Sequence, residues 1–474
     1  MNPAEIVGLA PIVVGAGLAL LLILAIVKTI RYVRASPALR QSIRLAARIK
    51  RRWPRLAPMA GLSVTDRKPT VMAQLSQELS TDKTRKIEPR TLIPTIKVVP
   101  DAYGVIVTAK CLPKVSLEEF QKASRFLADA WGCVRVSVVP ADKPGAVVIR
   151  AVREDPLAVK TTHIPTGLPP EHIAQWDLGL DECARPAVID LANVPGITLA
   201  GLPGYGKTSS VNKFICDFAP SPLVQIGGLD AKATMIEESD YAAVASRLFR
   251  FVGNDLHEAN DFLKDMVALR RRRAKLVRAV FGTANMWHHG PREDWPLVIL
   301  FVDEAQAYLR EIKARDDESR KLAALVAENA RLIAELVAMG RAVGMLTIPI
   351  TQKPTGDALP TAIRDVAPVA LSFAQRSTDA AVAALGEDIR NWDDMNPVNL
   401  QGPAYVGVMV MSNPHGPGYI RVRTPYVSDE DAARIAAQTA PLTRDPVALL
   451  ATLDGGGPNL TKTLPGQDPG DLAA

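Results

Sequence analysis

Residues 197–214 read ITLAGLPGYGKTSSVNKF. Four mostly apolar residues run into a Gly-rich turn, then Lys-Thr-Ser-Ser, then a stretch able to be helical. Gly201-Leu202-Pro203-Gly204-Tyr205-Gly206-Lys207-Thr208 satisfies G-x-x-x-x-G-K-[ST] at every fixed position. A strand before it and a helix start after it are the context in which that pattern cradles phosphates. Glycines let backbone N–H groups converge on an anion, and the helix N-terminus adds its dipole. Lys207 is placed for the β- and γ-phosphates and Thr208 for Mg²⁺. Residues 201–209, Ser209 included, are the expected ATP-binding loop.

A loop of this kind serves hydrolysis only if a second carboxylate holds the metal and another group activates water. Both occur in WPLVILFVDEAQAYL, residues 295–309. Val298 to Val302 read as a buried strand, with Asp303-Glu304 at its carboxyl end, where α/β sheets place their ligands. Asp303 fits the Mg²⁺ role and Glu304 the water-activating one. A third strand, MLTIPI, ends in Thr351-Gln352, and the amide of Gln352 is a candidate sensor of the γ-phosphate.

Around these motifs, apolar runs at 197–200, 223–226, 297–302, 346–350 and 369–373 alternate with helical stretches. The alternation predicts an α/β fold, a P-loop NTPase core on a mostly parallel sheet with helices on both faces. One such helix spans 319–343, with Leu322, Leu325, Val326, Leu332, Ile333, Leu336 and Val337 on a common stripe. Before the core, residues 91–158 alternate strand and helix periods and predict a small α+β domain. The core itself is expected at 159–440. A Gly/Pro-rich tail, 441–474, has too little apolar content to fold.

The N-terminal region differs in kind. Ile6 to Val27 is an uncharged, mostly apolar run of 22 residues, long enough at about 1.5 Å per residue to cross a hydrocarbon core of about 30 Å. A cleaved signal peptide would begin basic and end in small residues; this chain begins MNPAE and the run ends at Lys28. Residues 1–27 are therefore expected to be a single-pass anchor in the inner (plasma) membrane. Ten of the 56 Lys and Arg residues fall between 28 and 55, where there is no acid. The positive-inside rule then leaves the N-terminus outside and the bulk of the chain in the cytoplasm. Residues 28–90 read as a basic juxtamembrane segment and linker, with Arg40, Arg44 and Arg48 spaced to face anionic headgroups. The remainder holds 46 basic against 50 acidic residues, so the pI near 9.1 is no argument for nucleic acid. The four cysteines form no CxxC pair and read as reduced thiols. His288-His289 lacks further ligands at metal spacing.

These residues resemble the FtsK/SpoIIIE-type DNA translocases, membrane-anchored motors with a RecA-like ATPase fold. The likeness runs from about residue 91 to 440. It is carried by LGLDECARPAVIDLANVPGITLAGLPGYGKTSS leading into the phosphate loop and by LDAKA, whose Asp230 and Lys232 match a D-x-K motif. GRAVGMLTIPITQKPTGDALPTAIRDVAP is similar to the family's sensor strand, and RVRTPYVSDEDAARIA to its closing segment. In FAQRSTDAAVAALG the family's arginine is out of register, which leaves Arg376 and Arg364 as candidates for an arginine finger acting in trans. The resemblance implies a homo-hexameric ring with ATP between subunits, pumping double-stranded DNA without sequence preference. One expected span and one motor module, with little chain after it, look more like the plasmid or integrative-element transfer proteins of that superfamily. Other proteins of a transfer apparatus are then partners. Two alternatives stand beside this reading: a protein-secretion ATPase of the same superfamily, and a membrane coupling protein switched by nucleotide. Arg270-Arg271-Arg272-Arg273 lies on a predicted helix and reads as a solvated or inter-subunit surface before a DNA contact.

Overall fold

The computed structural model describes residues 29–30, 32–66, 90–313, 316–354, 359–414 and 416–455. The expected anchor at 1–27, residues 67–89 of the linker and 456–474 of the tail lie outside the described residues. Among the described residues no helix is long and apolar enough to cross a membrane. The chain divides into two units, Met1–Pro156 with Glu182–Arg185, and Leu157–Asp181 with Pro186–Ala474.

The first unit opens with helix α1 (Pro37–Met59), whose N-cap Ser36 accepts from the Leu39 N–H and whose Pro37 is pre-set for a first helical turn. A short antiparallel pair follows, β1 (Val64–Asp66) with β2 (Arg90–Leu92). Then come β3 (Ile96–Pro100), β4 (Gly104–Lys110), α2 (Leu117–Lys122), α3 (Ser124–Trp131), β5 (Arg135–Pro140) and β6 (Ala146–Val152). The last four strands make an antiparallel sheet in the order β3-β4-β6-β5, the α+β unit expected at 91–158. The unit begins earlier than that. Leu45, Ile49, Trp53 and Ala57 recur at i, i+4 and are buried in its core, and Trp53 Nε1 donates to the Pro94 carbonyl at 2.7 Å. Part of the segment expected as juxtamembrane and linker is thus a structural helix. Its arginines hid an apolar stripe, while Arg44, Arg48, Arg51, Arg52 and Arg55 stand exposed on the other side.

The second unit is built on one ten-stranded sheet. In chain order its strands and longer helices are β7 (Gln175–Asp181), β8 (Pro186–Asp190), β9 (Ile197–Ala200), α4 (Lys207–Phe218), β10 (Val224–Asp230), β11 (Leu248–Val252), α5 (Leu256–Phe281), β12 (Leu297–Asp303), α6 (Asp317–Met339), β13 (Met345–Thr351), β14 (Val369–Ser372), β15 (Val408–Ser412), β16 (Tyr419–Arg423), α7 (Asp429–Thr439) and α8 (Pro446–Gly455). The strand order is β11-β10-β12-β13-β9-β14-β15-β16-β7-β8. The first six run parallel and the remaining pairings are antiparallel. β9, β10, β12 and β13 are buried at every position, as strands covered on both faces must be. Phe214 and Phe218 of α4 and Ala432 and Ala436 of α7 pack on one face. Phe262 of α5, Leu332 and Ile333 of α6 and Leu450 of α8 pack on the other.

Two sequence expectations change here. The stretch 446–455 is helix α8, with Leu450 1% exposed, so ordered chain extends past residue 441. The Gln225 side chain anchors the approach, accepting from the Arg444 N–H (2.9 Å) and donating to the Leu442 carbonyl (2.9 Å). The four consecutive arginines are also unequal. Arg273 is 1% exposed, donates to the Pro296 and Val343 carbonyls and lies 5.0 Å from the Trp295 ring centroid. Burial pulls its pKa down to about 9. Arg270 and Arg271 pair with Glu335 of α6.

Candidate functional site

β9 ends at Ala200, registered against Thr351 of β13 and Ser372 of β14. The loop that follows is pinned on several sides. Gly201 N–H donates to the Thr351 carbonyl (3.2 Å) and Leu202 N–H to the Ala374 carbonyl (2.9 Å). Gly407 N–H donates to the Tyr205 carbonyl (3.0 Å) and Gly402 N–H to the Tyr205 hydroxyl (2.9 Å). Two positions require glycine. Gly201 has φ +153°, and a Cβ there would stand 2.6 Å from Cβ of Phe373; Gly206 has φ +104°, with a Cβ 3.2 Å from Cα of Gly407.

Lys207 opens α4 and is 5% exposed. Its Nζ donates to the Gly201 carbonyl (2.7 Å) and the Leu202 carbonyl (3.0 Å). Burial lowers its pKa to about 8; Asp303 and Glu304 work against that fall, and Lys232 adds to it. The ammonium is thus a desolvated cation held by two neutral carbonyls, a cheap arrangement to exchange for phosphate oxygens.

Asp303 closes β12 in register with Asp230, the last residue of β10. Both are fully buried. Asp303 Oδ2 accepts from Lys232 Nζ (3.1 Å) and from the Tyr241 hydroxyl (3.1 Å), and its Oδ1 accepts from the Glu304 N–H (2.7 Å). The Tyr241 hydroxyl also hydrogen-bonds Thr208, so one phenol joins the two residues expected to hold Mg²⁺. Asp230 accepts from the Lys232 N–H (3.0 Å) and the Ser239 hydroxyl (2.6 Å). A buried carboxylate beside a hydroxyl is the hard-oxygen set a small divalent cation takes, and a carboxylate 0% exposed needs positive charge near it. Thr208 and Asp303 therefore fit the metal.

Glu304 has φ +51°, a left-handed turn that takes the chain out of strand geometry directly after Asp303. The Gln306 amide donates to its carboxylate. Burial raises its pKa; Lys232 opposes this most, and a hydrogen bond from Gln352 also lowers it. Gln352 follows β13 directly. The structure thus brings Lys207, Thr208, Asp303, Glu304 and Gln352 to one edge of the sheet. A cleft of about 760 Å³ opens there, lined by Lys207, Thr208, Lys232 and Gln352 and also by Thr162, Thr424 and Tyr426.

The two candidate arginines differ. Arg364 is spent locally: Nε donates to the Leu359 carbonyl (3.1 Å), Nη1 to the Ala383 carbonyl (2.8 Å) and Nη2 to the Thr361 hydroxyl (3.2 Å). It braces its own loop and is not free to reach a second copy. Arg376 is exposed on the loop after β14, with no hydrogen bond or ion pair among the described residues. Sequence reasoning missed Tyr241, since nothing in SDYAAV marks a tyrosine aimed at a carboxylate 62 positions away. It also missed Tyr426 and the segment 160–163, although RVRTPYVSDEDAARIA was itself a recognisable stretch.

Residues 170–356 match the FtsK/SpoIIIE family. The DNA translocase FtsK of Leptospira interrogans serogroup Icterohaemorrhagiae serovar copenhageni (strain Fiocruz L1-130) is 24% identical over 308 residues, covering 62% of this chain and 30% of that protein. DNA translocase FtsK 1 of Neisseria meningitidis serogroup B (strain ATCC BAA-335 / MC58) is 28% identical over 228 residues, 42% of this chain and 26% of its own length. The chain thus spans less than a third of either relative. Among solved structures, the pCW3 conjugation coupling protein TcpA in a monomer form with ATPγS aligns at a TM-score of 0.48 with 17% identity, covering 74% of this chain and 94% of its own. The cytoplasmic domain of the Thermomonospora curvata type VII secretion ATPase EccC aligns at 0.44 with 16% identity, over 62% of this chain and 34% of its own.

Proposed function

We propose that this chain, whose residues 170–356 match the FtsK/SpoIIIE family, is a membrane-anchored, ATP-driven DNA translocase. The phosphates of ATP lie on residues 201–209, with the Lys207 ammonium exchanging loop carbonyls for β- and γ-phosphate oxygens. Thr208 and Asp303 would hold Mg²⁺, which would supply charge to the phosphate oxygens. Glu304, made more basic by burial, takes the proton of the attacking water. Gln352 touches the terminal phosphate and passes its loss to the loop beyond β13. Arg376 enters the site of a neighbouring copy, which makes turnover depend on a ring, taken as a hexamer. The ring grips the phosphate backbone of double-stranded DNA without reading bases.

The observation that carries hydrolysis is the buried Asp303 accepting from Lys232 and from the buried Tyr241, one strand from the phosphate loop, with Glu304 beside it. DNA as cargo is supported by the family and by the DNA translocases among its relatives. Movement of plasmid or mobile-element DNA in conjugative transfer rests on the sequence resemblance. The anchor in the inner membrane rests on the apolar run at 6–27 followed by ten cations without an acid.

The test is ATP turnover by the full chain with and without double-stranded DNA, set beside Lys207→Ala. DNA should stimulate turnover several-fold, and the variant should be inactive in both conditions. Turnover indifferent to DNA would remove the translocase reading and favour a protein substrate.

A further inference from the structure

We propose that the phosphate cleft also reads the base of the nucleotide and selects adenine over guanine, through the backbone of Thr162 and the ring of Tyr426. The inference deepens the ATP reading and rests on it. Residues 160–163 form a strap alongside the segment that follows β16. Tyr426 N–H donates to the Thr161 carbonyl (2.8 Å) and His163 N–H to the Tyr426 carbonyl (2.7 Å), which makes Thr162 and Tyr426 a parallel bridged pair. In such a pair the bridged residue's own N–H and C=O face the opposite edge. Thr162 therefore offers a donor beside an acceptor, and neither has a hydrogen-bond partner among the described residues. It lines the same cleft as Lys207 and Thr208.

Tyr426 supplies the second half. Its neighbours Thr424 and Val427 are 6% and 3% exposed, whereas Tyr426 is 50% exposed and also lines the cleft. A half-exposed aromatic lining a phosphate cleft is a stacking platform, which accepts any base with a π face. The strap can choose among them. Adenine presents its 6-amino donor next to the N1 acceptor, the complement of a C=O next to an N–H. Guanine carries O6 and N1–H at the same places in the opposite sense, setting acceptor against acceptor and donor against donor. A site that leaves its own polar groups unmatched rejects the wrong ligand strongly.

The test is competition binding to the full chain by ATP, GTP and purine riboside triphosphate, which lacks the 6-amino group, against a ribose-labelled fluorescent ATP analogue. GTP should bind at least about tenfold more weakly than ATP, with purine riboside triphosphate between them. Thr162→Pro removes the N–H but keeps both hydrogen bonds to Tyr426, and should shrink the ATP–GTP gap to about threefold or less. Tyr426→Ala should weaken ATP and GTP alike by about tenfold or more, and Tyr426→Phe should not. Equal affinities for the three ligands in the unmodified chain would overturn the edge readout, whatever Thr162→Pro does to folding. Unchanged binding by Tyr426→Ala would overturn the stack. Failure of every triphosphate to bind would instead sink the ATP reading beneath both.

Discussion

Binding of ATP should draw a proton from solution above pH 8, and Lys207 is where that proton goes. In the free protein burial holds this lysine near a pKa of about 8, against an ordinary value of 10.5. At pH 7, 8 and 9 about a tenth, a half and nine-tenths of the molecules then carry it neutral. Phosphate oxygens in place of the Gly201 and Leu202 carbonyls restore the charged form, so uptake per site should be about 0.1, 0.5 and 0.9 protons. The dissociation constant should rise about tenfold between pH 7 and pH 9. Stability has the opposite slope. Folding penalises the charged form because the folded pKa lies below the unfolded one. That penalty, about 3 kcal/mol, is complete below pH 8 and fades as the pH rises towards 10.5. Calorimetric titration in buffers of different ionisation enthalpy reads the uptake directly, and a terminal phosphate with a second pKa of about 6 is already ionised there. Lys232→Met removes a like charge acting on Lys207 and should reduce the uptake at pH 8. Binding heats independent of buffer at pH 8 and 9 would refute the reasoning.

Tyr241→Phe deletes the hydroxyl joining Thr208 to Asp303 and should raise the Mg²⁺ concentration for half-maximal turnover by about 10–100-fold, read in a metal titration. Arg364→Ala strips three hydrogen bonds from one loop and should lower the melting temperature by several degrees. Arg376→Ala should leave melting unchanged and abolish turnover, and mixing it with Lys207→Ala copies should recover activity if the arginine acts across a subunit boundary. Leu450→Ala opens a cavity under α8 and should cost about 3 kcal/mol in denaturant unfolding, an effect absent if 441–474 were a free tail.

What could be read in advance divides by the reach of the signal. The phosphate loop and Asp303-Glu304 are short words next to continuous apolar runs, so strand, loop and role lie within a few residues of each other. The parallel half of the sheet follows from those same runs. β7, β8, β15 and β16 pair antiparallel and carry polar positions, and a sequence pass sees little there but turns. Composition misled twice. Ten cations concealed the stripe Leu45-Ile49-Trp53-Ala57, and a glycine run concealed Val447, Leu450 and Leu453 just before it. Arg273 escaped for a related reason: in a block of four arginines, helix phase alone decides which one turns inward. Tyr241 and Thr162 act through contacts made by the fold, 62 positions from Asp303 and at a bridge to Tyr426, and no local pattern announces either.

The left-handed backbone at Glu304 sets two selective pressures against each other at one residue. A non-glycine residue in that conformation costs roughly 1 kcal/mol, and its partly buried carboxylate adds to the penalty. Glycine would relieve both and remove the proposed water-activating group with them. Chains chosen only for persistence in the folded state should therefore drift towards glycine at 304, becoming sturdier proteins that hold ATP and cannot spend it.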